Sequence, residues 1–109
     1  MDQKLLDSIT ENTAQIQERR KALHEAREKS IEAKEKLKIQ ECASILKGIP
    51  GKNKEDREAY LYADTSELRD ILQDNEKSER IAALNLELSL DARRSLENIV
   101  KLTEAENGL

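Results

Sequence analysis

The sequence predicts an all-α protein, an antiparallel hairpin of two long, coiled-coil-like helices. Three observations predict it. Glycine and proline interrupt the interior of the 109-residue chain at one place, Gly48-Ile49-Pro50-Gly51. Apolar or small residues recur seven apart through the first half, the spacing of a helical seam. Charged residues make up 39% of the chain, beside 37% apolar residues, no Trp, no Phe and two Tyr. That mixture suits long solvated helices with narrow apolar seams better than a globular core. Disorder is the competing reading of so charged a composition, and the sustained period argues against it.

The first segment, about residues 2–47, carries Ile9, Ile16, Leu23, Ser30, Leu37 and Ser44 at heptad spacing, with Ala26 and Ala33 three residues after two of them. A stripe this rich in Ala and Ser lets a partner backbone approach closely but buries little area. Its start is signalled twice, by Asp2 and by Ser8 with Glu11 at capping-box spacing; the second signal predicts fraying of residues 1–7.

The turn, residues 48–53, follows from local chemistry. Gly48 takes the left-handed conformation that ends helices, and Pro50 has no N–H to continue the ladder. Asn53 is a good N-cap, and Asp56 three residues on favours the positive end of the next helix.

The second segment, about residues 54–105, reads as one unbroken helix. The alternative is an interruption at residues 64–66, where Asp64 and Glu67 have the spacing to cap a new helix. Asn75 and Ser78 mark a polar middle as a second place for a bend, and a bent second helix would fold the chain into a three-helix bundle. From Ile81 to Leu102 the apolar residues fall on two faces. Ile81, Leu84, Leu88, Ala92, Ile99 and Leu102 form one stripe; Ala82, Leu86, Leu90 and Val100 lie nearly opposite, with Leu96 between. A helix apolar on two sides needs cover on two sides. The first helix is expected to cover the Ile81 stripe, which leaves Leu86, Leu90 and Val100 for a partner. At ~1.5 Å per residue each arm would be about 65 to 75 Å long, and a lone hairpin has no third element to close its core. A homodimer forming a four-helix bundle over part of its length is therefore expected.

Charge narrows the partners. The formal net charge is −4, with 19 basic and 23 acidic residues interspersed, so a basic field for nucleic acid is absent and nucleic-acid binding is disfavoured. A single cysteine, Cys42, permits no internal disulfide and fits a reducing compartment. No window has the ~20 apolar residues of a membrane span, and the expected location is the cytoplasm.

No constellation points to catalysis, a cofactor or a metal. His24 is the only histidine and sits between Arg20 and Glu28 at helix-surface spacing. Cys42 has no histidine near it and reads as helix packing. Carboxylate pairs such as Glu25 with Glu28 arise by chance among so many acids. Gly-Ile-Pro-Gly-Lys-Asn lacks the spacing of a phosphate-binding loop and follows no strand. The basic clusters at residues 19–21 and 34–38 are offset by neighbouring glutamates. One local basic excess remains, Lys47, Lys52, Lys54 and Arg57, closely followed by Tyr60 and Tyr62. Lys52, Arg57, Tyr60 and Tyr62 therefore join Leu86, Leu90 and Val100 as candidate partner-binding residues.

The run Gly51-Lys52-Asn53-Lys54-Glu55-Asp56-Arg57-Glu58-Ala59-Tyr60-Leu61, with Glu67-Leu68-Arg69 beyond it, resembles small helical proteins of tailed phages and prophages. In those, a GKN-type turn opens a long Leu- and Glu-rich helix. The resemblance covers about residues 48–100 and implies a phage gene product, with no reaction or catalytic residue to carry over. On that footing the expected role is a binder that docks on and blocks a host protein in the host cytoplasm, as anti-CRISPR inhibitors do. The alternatives are an accessory subunit of phage recombination or replication, and a structural coiled-coil adaptor.

Overall fold

A computed structural model describes residues 2–108 as three helices: α1, Gln3–Lys47; α2, Lys54–Asp64; and α3, Ser66–Asn107. No strand occurs among the described residues, and the chain is an all-α long-helix hairpin. It divides into two compact units. One joins α1 as far as Glu25 to α3 from Arg80; the other is Ala26–Glu79. Within each, α1 and α3 run antiparallel. In the first, Asn12 reaches Ser89 while Ile9 meets Arg93; in the second, Arg27 pairs with Glu79 and Glu41 with Arg69.

Helix α1 begins at the earlier of its two signals. The Asp2 carboxylate accepts the Lys4 N–H at 3.1 Å, which satisfies a donor that the first turn leaves free. Ser8 lies inside the helix and donates back to the Lys4 carbonyl at 2.9 Å, so the chain is helical ahead of it rather than capped there.

The heptad stripe of α1 turns inward. Ile16, Leu23, Ser30, Ala33, Leu37 and Ser44 are buried, and Ile9 and Ala26 are half-buried. The same stripe also takes in polar residues: Asn12 is buried, and Arg19 and Gln40 are half-buried. Only four apolar residues, Ile16, Leu23, Ala33 and Leu37, are buried among those described, so the interior is a single thin seam.

The hairpin reverses at residues 48–53. Gly48 has φ +86°, and its N–H bonds the Ile45 carbonyl at 3.1 Å. Gly51 has φ +147°, and a side chain there would meet the Arg57 backbone nitrogen and the Asp56 Cβ at 3.0 Å; glycine is required on both counts. Asn53 has extended backbone, and its side-chain oxygen accepts the Asp56 N–H at 2.9 Å, starting α2.

The second segment is interrupted, contrary to the unbroken helix expected. The break falls at Thr65, with φ −106° and ψ 7°, and not at Asn75, where α3 is continuous and the Asn75 amide donates to the Ile71 carbonyl. Thr65 is fully buried, and its hydroxyl donates to the Leu61 carbonyl at 2.8 Å. Back-bonding of this kind loosens a helix locally. The ladder is not severed, since Thr65 N–H still reaches the Leu61 carbonyl and Arg69 N–H the Thr65 carbonyl. Asp64 takes the Ser44 hydroxyl of α1, a tertiary bond across twenty residues of sequence.

Candidate functional site

Two surfaces come out of this geometry, and the first corrects an expectation. Along α3 the residues turned toward α1 in the first unit are Ala82, Leu86, Ser89, Arg93, Leu96, Val100 and Thr103. Ser89 is buried and the rest are half-buried, as is Leu90 beside them. Leu86, Leu90 and Val100 therefore do not face away from α1. The exposed stripe is the other one: Ile81 is 50% exposed, Leu84 54%, Leu88 57%, Ile99 47% and Leu102 65%. Counting large side chains favours that stripe as the buried face, but polar bonding sets the choice. The buried Asn12 donates to the Ser89 carbonyl at 3.0 Å and accepts from Arg93 Nε at 2.8 Å. Arg93 also donates to the Ile9 carbonyl at 3.3 Å and to the Thr13 hydroxyl. These bonds are made only with the Ser89/Arg93 face inward, and buried polar groups must be paired.

The second surface is the turn end. Helix α2 has no buried residue. Tyr60 is 45% and Tyr62 61% exposed, and Leu46, in the last turn of α1, is 88% exposed. Lys52 and Arg57 are exposed as well. Tyr62 is oriented rather than free: the Arg69 guanidinium lies 5.0 Å from its ring centroid, a cation–π distance. Arg69 is itself fixed by Thr65 Oγ1 at 3.0 Å and Glu41 Oε1 at 2.9 Å. The buried break at Thr65 thus sets the position of an exposed aromatic ring. Sequence spacing gave no sign of the Glu41–Arg69 bond, which joins α1 to α3 across 28 residues.

Elsewhere, His24 is exposed. Cys42 is also exposed and does not pack against a helix as expected. No group of three or more His, Cys, Asp or Glu residues able to hold a metal occurs among the described residues. No described helix is long and apolar enough to cross a membrane. Among the described residues, open grooves lie along the helix pairs. One of about 270 Å³ is lined by Arg27, Ser30, Leu72 and Glu79 among others, and one of similar size lies between Ile9 and Val100. No family model matches the chain, and neither a curated protein nor a solved structure is significantly similar to it.

Proposed function

We propose that this chain is a non-enzymatic, phage-encoded interaction protein that docks on a host protein through its turn end and blocks it, in the manner of an anti-CRISPR inhibitor. The observation that carries this reading is α2, eleven residues without one buried side chain. Isolated helices of that length are marginal in water, and α2 is tied down only by half-buried Leu61 and the bond from Ser44 to Asp64. Its exposed Tyr60 and Tyr62, beside Arg57, Lys52 and the protruding Leu46, match the Tyr- and Arg-rich composition of interface hot spots. The basic residues would meet an acidic rim on the target and raise the rate of encounter.

Capture from host lysate on the immobilised chain, with the captured protein identified and its activity assayed, tests the proposal. One protein should lose activity as the chain is added, and its association rate should fall with salt. Arg57→Glu combined with Tyr62→Ala should weaken capture by about tenfold or more. Capture of nothing, or capture indifferent to the double substitution, overturns the reading.

A further inference from the structure

In the first unit the exposed stripe of α3 forms one wall of a groove, and the bonds across the seam fix which side of α1 forms the other. Arg93 bonds Thr13 and lines a concavity with Glu97 and Glu104, so the Thr13 flank of α1 meets the Glu97 flank of α3. The stripe lies on the opposite flank. On that side of α3, Asn85, Ala92 and Ile99 come next to the seam, with Ile81, Leu88, Ser95 and Leu102 outside them. On that side of α1, Ser8, Gln15 and Ala22 come next to the seam, with Glu11, Glu18 and Glu25 outside them, all exposed. The floor of the groove is thus uncharged, one wall is mainly apolar and the other is acidic, with Lys4 as the one base heading the acidic row.

Both walls keep a seven-residue repeat. A straight helix drifts off such a repeat, so a groove whose two walls keep it fits a third helix that winds along the pair. From Ile81 to Leu102 that track is about 32 Å long. Charge sets the chemistry of its occupant. Within α1, Glu32 pairs with Lys36 and Glu41 with Arg69, but none of Glu11, Glu18 and Glu25 pairs with a cation among the described residues. Beyond the apolar wall, Leu84, Asp91 and Asn98 supply no base, and Asp91 is already paired with Arg94. A second copy of α3 would bring no basic row with its stripe, since Arg80, Arg94 and Lys101 stand about 100° round the helix from it.

We infer that this groove takes a basic amphipathic helix from another protein. Apolar residues along one face of that helix would cover Ala92, Ile99 and the Leu88 wall, and lysines or arginines on its edge toward α1 would meet the three glutamates. Such helix-in-groove docking draws its affinity from the apolar anchors, while the charged edge fixes the register and speeds encounter. The groove belongs to the first unit, whereas Tyr60 and Tyr62 belong to the second, so this docking face is additional to the turn end.

A fluorescent helical peptide of about 21 residues, with leucine at the two core positions of each heptad and lysine along one flank, is titrated with the full chain and followed by anisotropy. It should bind with a dissociation constant of about 10 μM or tighter, and the same peptide with glutamate in place of lysine about tenfold more weakly or worse. Leu88→Glu should weaken binding of the lysine peptide by about thirtyfold or more with the helical circular dichroism kept, because Leu88 is 57% exposed. That variant makes the chain more acidic, so attraction to the net charge of −4 alone would strengthen binding instead. Glu18→Gln with Glu25→Gln should weaken it about fivefold, while Glu97→Gln with Glu104→Gln, an equal change of charge on the other flank, should leave it unchanged. An unchanged constant for Leu88→Glu, or equal effects of the two glutamine pairs, overturns the inference. So does a chain that is dimeric by sedimentation equilibrium and becomes monomeric with Leu88→Glu, which makes a second copy the cover. Arg57→Glu with Tyr62→Ala should leave peptide binding intact, so failure of this groove and failure of the turn-end docking are told apart.

Discussion

Leu23→Ala should lower the unfolding free energy by about 3 kcal/mol, within the range of about 2–5 kcal/mol for emptying a buried leucine site. Leu23 is 7% exposed, and within its unit Ile16 is its one buried apolar neighbour on α1. Ordinary domains have total stabilities of about 5–15 kcal/mol, and a chain with four buried apolar residues among those described belongs near the lower end. One substitution would then remove much of the stability. Urea denaturation followed by circular dichroism gives the figure directly. The control is Leu84→Ala, a substitution of the same chemistry at a site 54% exposed, where the expected cost is below about 1 kcal/mol. Equal costs at the two positions would mean that the inward face of the hairpin has been assigned to the wrong residues.

The second large effect concerns the polar layer in the same unit. Arg93→Leu removes the donors to Asn12 Oδ1, the Ile9 carbonyl and the Thr13 hydroxyl. It leaves the carbonyl oxygen of an Asn that is 4% exposed without a partner. An orphaned buried acceptor costs about 1–3 kcal/mol, and hydrogen bonds from a charged donor contribute about 1.5–3 kcal/mol, so a loss of about 2–3 kcal/mol is expected. Asn12→Leu alone removes one of Arg93's three acceptors and the Asn12 donor to the Ser89 carbonyl, while the Ile9 and Thr13 bonds remain, so it should cost less, about 1–2 kcal/mol. The two together place leucines face to face in the seam, and replacing both partners by apolar groups is often close to neutral. The double variant should therefore recover most of the lost stability. It should also lose the bonds that select the Ser89/Arg93 face, as a coiled coil loses its register when its one buried Asn is removed. Additive losses in the double-mutant cycle would show that Asn12 and Arg93 act independently and that the layer is not a unit.

These cases show what could be read in the sequence. The α1 seam was legible because Ile16, Leu23 and Leu37 sit at the seven-residue spacing with small residues between them, and periodicity needs no tertiary knowledge. The reversal was legible because Gly48, Pro50 and Asn53 act on their own backbone. The break at Thr65 was legible only as the less favoured alternative at residues 64–66, since what decides for it is a buried hydroxyl and the bond between Ser44 and Asp64, which are distant in sequence. The inward face of α3 was not legible. Its heptad positions include Asn75, Glu79, Ser89 and Arg93, which look like surface residues, whereas Ile81, Leu84 and Leu88 look like core. What distinguishes the faces is whether Asn12 has partners across the seam, and that is a relation between residues 77 apart in sequence. Of the candidate binding residues, Lys52, Arg57, Tyr60 and Tyr62 are exposed at the turn end. Leu86, Leu90 and Val100 are drawn into the seam, leaving the stripe from Ile81 to Leu102 exposed in their place.

Which side of α3 meets α1 is tested most directly by disulfide trapping within one chain. In a Cys42→Ser background, Asn12→Cys paired with Ser89→Cys should close an intramolecular disulfide on mild oxidation, because the Asn12 amide lies 3.0 Å from the Ser89 carbonyl and facing seam positions meet the geometric limits of the bond. Asn12→Cys paired with Leu88→Cys should stay reduced within the chain. The reverse result, closure with Leu88→Cys and not with Ser89→Cys, would place the Ile81 stripe against α1 and contradict the account.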